Sequence, residues 1–430
     1  MPIVLALLAA ALAMGQPGQP LKQPAPVGEA GWREDLKIFA EKFGASGMTV
    51  DFQRGPHSRG QKDFEKLYPP AMFHTEMERL TSEAGKLSDE EMTLALMKLV
   101  ASANVAHTMV TPGLHFHFFG RLPLSMTWFP DGLVVMAAAK EYSEAIGARV
   151  LRIGKMSADE TLTAVGPYVG HETDTWQRLV APGQLVTRAM LDHLGLLGAD
   201  LKVAMTFQKP GGQPFTMDVR IADPRTAKLN VIDVMHVDAP LYLSQPNSYY
   251  WYRYLPDSQT FYIQYNRCTN DPKLPFSEFV RMAMADADMH AAEHGVRRVV
   301  IDLRLNGGGD SRVLGPLKKA LAARAKKLGP VYGLVGGATF SSGLDAAIDL
   351  RNDLHATLVG SPSSERLNSY GEVMSFTLPN SKLVVQYSTK YFRGAKEGQP
   401  DELIPDIPAP PTFADAMTGK DSALDAAIGR

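Results

Sequence analysis

The sequence is poor in cysteine, has no excess of either charge and contains a single long apolar run. The one cysteine, Cys268, excludes an internal disulfide framework and any cysteine-based zinc or iron–sulfur cluster. The 44 basic and 46 acidic side chains leave a formal net charge of -2, which excludes a global field that would hold a nucleic acid or an anionic membrane. The length of 430 residues, 45% hydrophobic and 21% charged, is globular and sufficient for about two or three domains. Partners must therefore be recognised locally.

The long apolar run covers residues 3–14. It is roughly half of the ~20 residues that a membrane span needs, and Ala11-Leu12-Ala13 before a Gly/Gln/Pro stretch has the small-residue pattern of a secretory cleavage site. We therefore expect a signal peptide over 1–14 and a proline-rich linker over 15–29, rather than a buried N-terminal helix. The mature chain would then have no membrane span and would be exported, to the periplasm or outside the cell.

Hydrophobic periodicity divides the rest of the chain into three parts. Apolar residues at helical spacing and a capping box that begins at Ser88 predict an N-terminal helical domain over 30–119. Short β-like runs, among them 149–153, predict a mostly β module over 120–225. From 226 to 430 strands and helices alternate, which is typical of a parallel sheet built from βαβ units.

Two glycine-rich loops follow strands of this C-terminal part. The strand 299–303 continues into the loop 304–310, and the strand 331–335 continues into 336–343, where two serines stand at the start of a helix. Loops at the carboxyl ends of parallel strands meet at one edge of the sheet. A serine there exposes its hydroxyl beside free backbone N–H groups that can stabilise an oxyanion. Each serine could instead be a helix cap and each glycine a turn residue, but both loops in adjacent units favour catalysis.

The ordered motifs resemble the tail-specific, or C-terminal-processing, serine peptidases, including their tricorn-like branch. The resemblance is clearest over 255–430 and implies a ClpP/crotonase-like α/β catalytic domain; Ala106-His107-Thr108 resembles the family's Gly-His-Thr segment, and 122–223 looks like the PDZ-type domain that such enzymes often carry. The expected fold class is multidomain α+β or α/β, with a helical N-terminal domain, a PDZ-like module and the catalytic domain. The matching stretches are 300–309, 338–342, 358–360, 378–381 and 405–407.

This resemblance assigns the nucleophile and its surroundings residue by residue. The family nucleophile falls on Ser341, the first serine after Thr-Phe. The backbone N–H groups of Ser342 and Gly308 would form the oxyanion hole. Gly307 and Gly309, on either side of Gly308, would contact the substrate.

The general base follows the tricorn-like branch. The lysine base of many family members falls on Arg366, and a guanidinium cannot take a proton near neutral pH. The branch uses a histidine, which falls on His107. The ordinary pKa of a histidine, about 6.5, suits proton transfer. Arg366 is expected to bind a substrate carboxylate instead. The polar neighbour before the branch histidine is Ala106 here, and the branch carboxylate near the Pro-Asp element has no clear counterpart. The nearest candidates are Gln399, Glu397, Asp401 and Glu402.

The predicted function is an exported serine peptidase. It would cleave proteins or peptides near their C-terminus through an acyl-enzyme on Ser341, with no metal or organic cofactor and no nucleic acid partner. The alternative is a catalytically inactive relative that binds peptides as an envelope protein.

Other histidines raise competing interpretations. His290-Ala291-Ala292-Glu293-His294 matches an inverted zinc-peptidase motif, but the sequence identifies no third ligand, and the segment ends a helix, where histidines interact favourably with the carboxyl end. His115 and His117 lie on one face of a short predicted strand, where structural use is expected.

Overall fold

The computed structural model describes residues 25–43, 66–111, 120–223, 229–231, 240–395, 398 and 400–429. The predicted signal peptide and most of the predicted linker lie outside the described residues and stay predictions. The same holds for four side chains that the sequence singled out, which are His115, His117, Glu397 and Gln399. Within the described residues the chain is a multidomain α+β protein with three sheets. No helix in this part is long and apolar enough to cross a membrane.

In the described part of the chain three helices precede the first strand: α1 (Gly28–Phe43), α2 (Pro70–Glu83) and α3 (Asp89–Ala101). The predicted capping box opens α3, since the Ser88 hydroxyl accepts the N–H of Glu91 and the Glu91 carboxylate accepts the N–H of Ser88. Such a cap contributes about 1 kcal/mol. The chain then passes His107 and enters β1 (Met109–Thr111).

A second group of elements forms a mostly antiparallel sheet, as the short β-like runs predicted. Its path is β2-β3-β4-β6-β7, with β5 paired to β4 and β8 to β3. The strands are β2 (Leu124–Phe129), β3 (Gly132–Ala139), β4 (Arg149–Ile153), β5 (Met156–Ser157), β6 (Lys202–Gln208), β7 (Pro214–Arg220) and β8 (Leu229–Val231). Three helices accompany them: α4 (Ala158–Val165), α5 (Asp174–Leu185) and α6 (Arg188–His193).

The alternating C-terminal part forms a six-stranded sheet in the order β16-β13-β12-β11-β10-β9. All neighbouring strands are parallel except β9 and β10, which confirms the predicted βαβ organisation. The strands are β9 (Tyr250–Leu255), β10 (Thr260–Tyr265), β11 (Arg298–Asp302), β12 (Val331–Val335), β13 (Thr357–Gly360) and β16 (Ile407–Pro408). The helices are α7 (Phe276–Glu293), α8 (Gly315–Ala322), α9 (Ala325–Leu328) and α10 (Ser342–Leu354).

A third sheet joins distant parts of the chain. In it β15 (Val384–Arg393) lies between β14 (Asn368–Thr377) and β1, and both pairings are antiparallel. The register places Met109 opposite Gln386, so the strand after His107 is fixed by a strand far along the chain.

Two short helices, α11 (Phe413–Thr418) and α12 (Ser422–Ile428), complete the described chain. The apolar residues of α12 pack on one face of the six-stranded sheet, in a cluster with Tyr262, Val300 and Leu334. A larger core runs from Trp32 through the helices and the second sheet to Tyr387. Each fully buried large apolar side chain contributes about 1.5–3 kcal/mol. Because this core crosses the boundaries at 119 and 225, the domain limits stay predictions.

Candidate active site

Ser341 lies between β12 and α10 in a backbone conformation that L-residues rarely adopt. Its φ of 54° and ψ of -132° differ from the extended geometry of an ordinary helix cap. Its side chain accepts no capping hydrogen bond from α10. The interpretation of Ser341 as a mere helix cap therefore fails, and the hydroxyl is left for another use.

The two predicted glycine-rich loops converge at Ser341. A Cβ atom added to Gly308, whose φ is +105°, would lie 2.6 Å from the Ser341 Cβ and 3.1 Å from its Oγ. A Cβ added to Gly343 would lie 2.3 Å from the Asn306 carbonyl oxygen. Only glycine permits these approaches, because real Cβ contacts this short would force the loops apart.

The backbone N–H groups of these loops differ in their partners. The N–H of Gly308 donates to Asn306 Oδ1 at 3.0 Å. Among the described residues the N–H groups of Ser342 and Gly309 have no acceptor, while the Ser342 hydroxyl donates to the Gly309 carbonyl at 2.7 Å. Gly307 and Gly309 are exposed. The N–H groups of the two loops without an acceptor among the described residues thus include those of Gly307, Gly309 and Ser342.

A buried cluster of charged side chains holds the start of the first glycine-rich loop, 304–310. The Arg304 guanidinium donates to Asp302 through Nε at 3.0 Å and to both carboxylate oxygens of Asp421, at 2.7 and 2.8 Å. It also lies 3.9 Å from the ring centroid of Tyr242. Asp421 caps α12, so the C-terminal helix is tied to the base of the loop.

His107 is buried, with 6% of its surface exposed. Its ring stacks on Phe340 with centroids 4.3 Å apart, and Phe340 stacks on Trp176 at 4.4 Å. Burial lowers the pKa of His107 to about 4, while a hydrogen bond between its ring and the Tyr370 backbone acts in the opposite direction. The imidazole is therefore neutral at physiological pH.

Glu365 joins the serine to the histidine, and sequence reasoning missed it. Its Oε2 accepts the backbone N–H of Ser341 at 2.6 Å, and its Oε1 lies 3.4 Å from His107 Nδ1. The hydroxyl of Ser369 also donates to Oε1, at 2.7 Å. Nδ1 of His107 has no hydrogen bond among the described residues. His107 and Glu365 are therefore close to each other but do not form a hydrogen bond. Catalytic contacts of this kind often tighten only when substrate binds.

The environment of Glu365 favours its protonated form. Burial raises the pKa of Glu365 to about 8, and the nearby carboxylates of Glu172 and Asp345 act in the same direction. Burial likewise raises the pKa of Glu172 to about 7 and that of Asp345 to about 6. The site therefore holds more carboxyl groups than it can easily ionise together.

The two described candidates for the carboxylate near the Pro-Asp element have other partners. Asp401 instead accepts the backbone N–H of Asn368 at 2.7 Å, and Glu402 lies opposite Arg366 in an isolated β-bridge. The carboxylate that reaches the histidine is Glu365, one position before the residue matched to the family lysine. Arg366 itself is exposed, and its Nε donates to the Glu172 carbonyl at 3.0 Å.

The inverted zinc motif has a structural use in the fold. The His290 ring stacks on Tyr254 with centroids 4.1 Å apart, and its Nε2 lies 3.6 Å from Asp286. Within the ranges that the structure describes, no group of three histidine, cysteine or acidic residues is arranged to hold a metal ion.

Known structures share this fold. The chain superimposes on mature CPAF in complex with lactacystin with a TM-score of 0.60 at 14% identity, covering 92% of this chain and 97% of that chain. Mature CPAF without that ligand gives a TM-score of 0.58 at 12% identity, over 92% and 96%. The tricorn protease gives a TM-score of 0.41 at 11% identity, over 93% of this chain and 36% of that chain. No protein-family model and no curated protein matches the sequence. The two CPAF structures confirm the resemblance predicted from the motifs at the level of the fold.

Proposed function

We propose that the protein is a serine peptidase in which Ser341 is the nucleophile, His107 the general base and Glu365 the carboxylate partner of the histidine. The observation that carries this proposal is the position of Glu365, whose two oxygens lie 2.6 Å from the Ser341 nitrogen and 3.4 Å from His107 Nδ1. The strained backbone at Ser341 and the CPAF-like fold support the same assignment.

In this mechanism the Ser341 Oγ forms a bond to the carbonyl carbon of the substrate and gives its proton to His107. The tetrahedral intermediate then expels the amine, which takes that proton, and leaves an acyl-enzyme ester. Water adds to the ester, His107 accepts a proton from it and returns the proton to Ser341 as the new carboxylate leaves. The oxyanion is stabilised by the free N–H groups of Ser342 and Gly309, rather than by that of Gly308, which Asn306 already engages.

The substrate class proposed is a protein or peptide cleaved near its C-terminus. Arg366 supports this choice, because its side chain is exposed beside the site and, among the residues that the structure describes, only its Nε has an acceptor, the Glu172 carbonyl. The terminal N–H groups of the guanidinium can take a carboxylate through two parallel hydrogen bonds.

Covalent labelling tests the proposal directly. A fluorophosphonate should label the purified chain on Ser341, and Ser341→Ala should abolish both labelling and hydrolysis of a quenched fluorescent peptide. Ser342→Ala is the matched control, since its backbone N–H is retained. Lactacystin, which the solved CPAF complex contains, should compete with the label. A chain that binds peptides but is neither labelled nor active would replace this proposal with the peptide-binding alternative.

We also propose that the protein is exported. The support is the apolar run with Ala11-Leu12-Ala13 at its end. N-terminal sequencing of natively produced protein should then begin shortly after Ala13, and an intact Met1 in a cytoplasmic fraction would contradict export.

A further inference from the structure

Glu172 has no part in the proposed mechanism and lies in the turn between the short 3₁₀ helix Gly166–Tyr168 and α5. Its Oε1 accepts the backbone N–H of Ala106 and its Oε2 accepts that of Arg366, each at 3.3 Å. Ala106 precedes the histidine of the site, and Arg366 follows its glutamate. One carboxylate therefore bridges the two backbone segments that carry His107 and Glu365.

The same turn is fastened to both segments by other contacts. The Thr173 hydroxyl donates to the Ser364 carbonyl at 2.8 Å, on the other side of Glu365. A Cβ added to Gly170 would lie 2.7 Å from the Val105 carbonyl oxygen and 3.0 Å from that of Thr108. The turn thus lies directly against the backbone on both sides of His107.

The start of α5 adds contacts to the loop of the nucleophile. Trp176 stacks on Phe340, the residue before Ser341, and the Thr175 methyl group lies 3.1 Å from the position of a Cβ added to Gly337. Residues 170–176 therefore contact all three segments that supply Ser341, His107 and Glu365.

We infer that Glu172 is a positioning residue that holds the His107 segment at a fixed separation from the Glu365 segment. The inference rests on the proposed function, because the separation matters only if the two side chains act together. Glu172 has its carboxylate oxygens on backbone N–H groups and contacts neither Ser341 nor the His107 ring. Its two N–H donors stabilise the carboxylate against the effect of burial on its pKa.

Substitution of Glu172 in the full chain tests this role. Glu172→Gln keeps the size and one acceptor oxygen but turns an amide donor toward the second N–H, whereas Glu172→Ala removes both acceptors. We expect kcat and the rate of fluorophosphonate labelling to fall ~10-fold in Glu172→Gln and ~100-fold in Glu172→Ala, since a small misplacement of catalytic groups has effects of this size. KM for C-terminally amidated peptides should change less than ~2-fold, because their binding does not use Arg366, the proposed carboxylate-binding residue that Glu172 also contacts.

Glu160 offers a matched control. Its carboxylate also accepts a backbone N–H, that of Ser157 at 2.6 Å, but at the start of α4. Glu160→Ala should lower the melting temperature without lowering kcat. A readout independent of activity is the NMR titration of the His107 ring. In Glu172→Ala the loosened segment admits water, so the pKa of His107 should rise toward about 6.5, and in Glu160→Ala it should not move.

The outcomes separate this inference from the proposed function. If Ser341 is labelled in the wild-type chain, but neither kcat nor the His107 titration changes in Glu172→Ala, the positioning role is wrong and the peptidase function stands. If Ser341 is never labelled, but the His107 titration shifts only in the Glu172 variants, the peptidase function fails, and Glu172 keeps only a structural role in holding the His107 segment.

Discussion

The pH dependence of activity should be controlled by Glu365 rather than by the imidazole alone. Transfer of the serine proton requires a neutral His107 that keeps its own proton on Nδ1, toward an ionised Glu365. If Glu365 is protonated, it donates to Nδ1. The imidazole proton then lies on Nε2, the nitrogen that should accept the proton of Ser341. Burial raises the pKa of Glu365 to about 8, with His107, Glu172 and Asp345 as its titratable neighbours. The active form is therefore the one above this pKa.

The expected profile follows from the loss of this single proton. In the wild type kcat/KM should rise with pH up to about 8 and should be ~100-fold below its plateau two units lower, since one proton gives a slope of one. An acid limb near the pKa of free imidazole is therefore not expected. In Glu365→Gln the carboxyl titration is gone, and only His107 remains, whose pKa burial lowers to about 4. The acid limb should then move down by several pH units, while the plateau falls by ~10²–10⁴-fold.

The assay is kcat/KM for a quenched fluorescent peptide from pH 5 to 9.5, with labelling rates measured in parallel. Glu372→Gln removes an exposed glutamate of β14 and should leave the profile unchanged. An acid limb near pH 6.5 that stays in place in Glu365→Gln would refute the reasoning, because His107 would then titrate without sharing a proton with Glu365.

Three further predictions concern the residues around this pair. Gly308→Ala should abolish labelling of Ser341 in a folded chain, because the new methyl group would lie 2.6 Å from the Ser341 Cβ. Gly315→Ala is the control and should leave labelling unchanged, since its new methyl group meets nothing within 4 Å. Equal labelling of both variants would contradict this prediction. Asp421→Asn should destabilise the chain by ~1.5–3 kcal/mol in urea unfolding, since it weakens the charge-assisted hydrogen bonds of buried Arg304, which stays paired with Asp302. An unchanged unfolding midpoint would show that the cluster is not needed. Arg366→Ala should raise KM for substrates with a free C-terminal carboxylate more than it lowers kcat, and C-terminally amidated peptides should show no such change.

Much of the C-terminal sheet could be predicted because its strands are short apolar runs ended by glycine. The strand expected at 331–335 is β12, and that expected at 299–303 differs from β11 by one residue at each end. The periodicity over 314–328 predicted one helix, but the structure breaks it between α8 and α9. No glycine or proline marks this break. At the break Arg324 instead donates to Asp288 of α7, a tertiary contact that a single sequence does not display.

The residues of the candidate site also divide into those that a local sequence pattern predicts and those that only the fold reveals. Ser341 and the glycine loops could be found because backbone chemistry at strand ends has a local signature. Glu365 could not, because a glutamate on a loop is ordinary in sequence and gains its meaning from burial beside His107. The family motif matched Arg366, the residue directly after Glu365. The motif therefore led to the loop that carries Glu365 but not to its acidic side chain.

The pairing of β1 with β15 has a consequence for when the protein becomes active. His107 is fixed beside β1, and Met109 of that strand pairs with Gln386, so the base reaches its place only after a loop of more than 270 residues has closed. Contacts so distant in sequence form late, because the entropy of closing the loop must be met first. A chain still emerging from the ribosome would carry Ser341 without its base. In the proposed peptidase, Ser341 and His107 would then come together only in the completed molecule, so fragments present during synthesis would lack proteolytic activity.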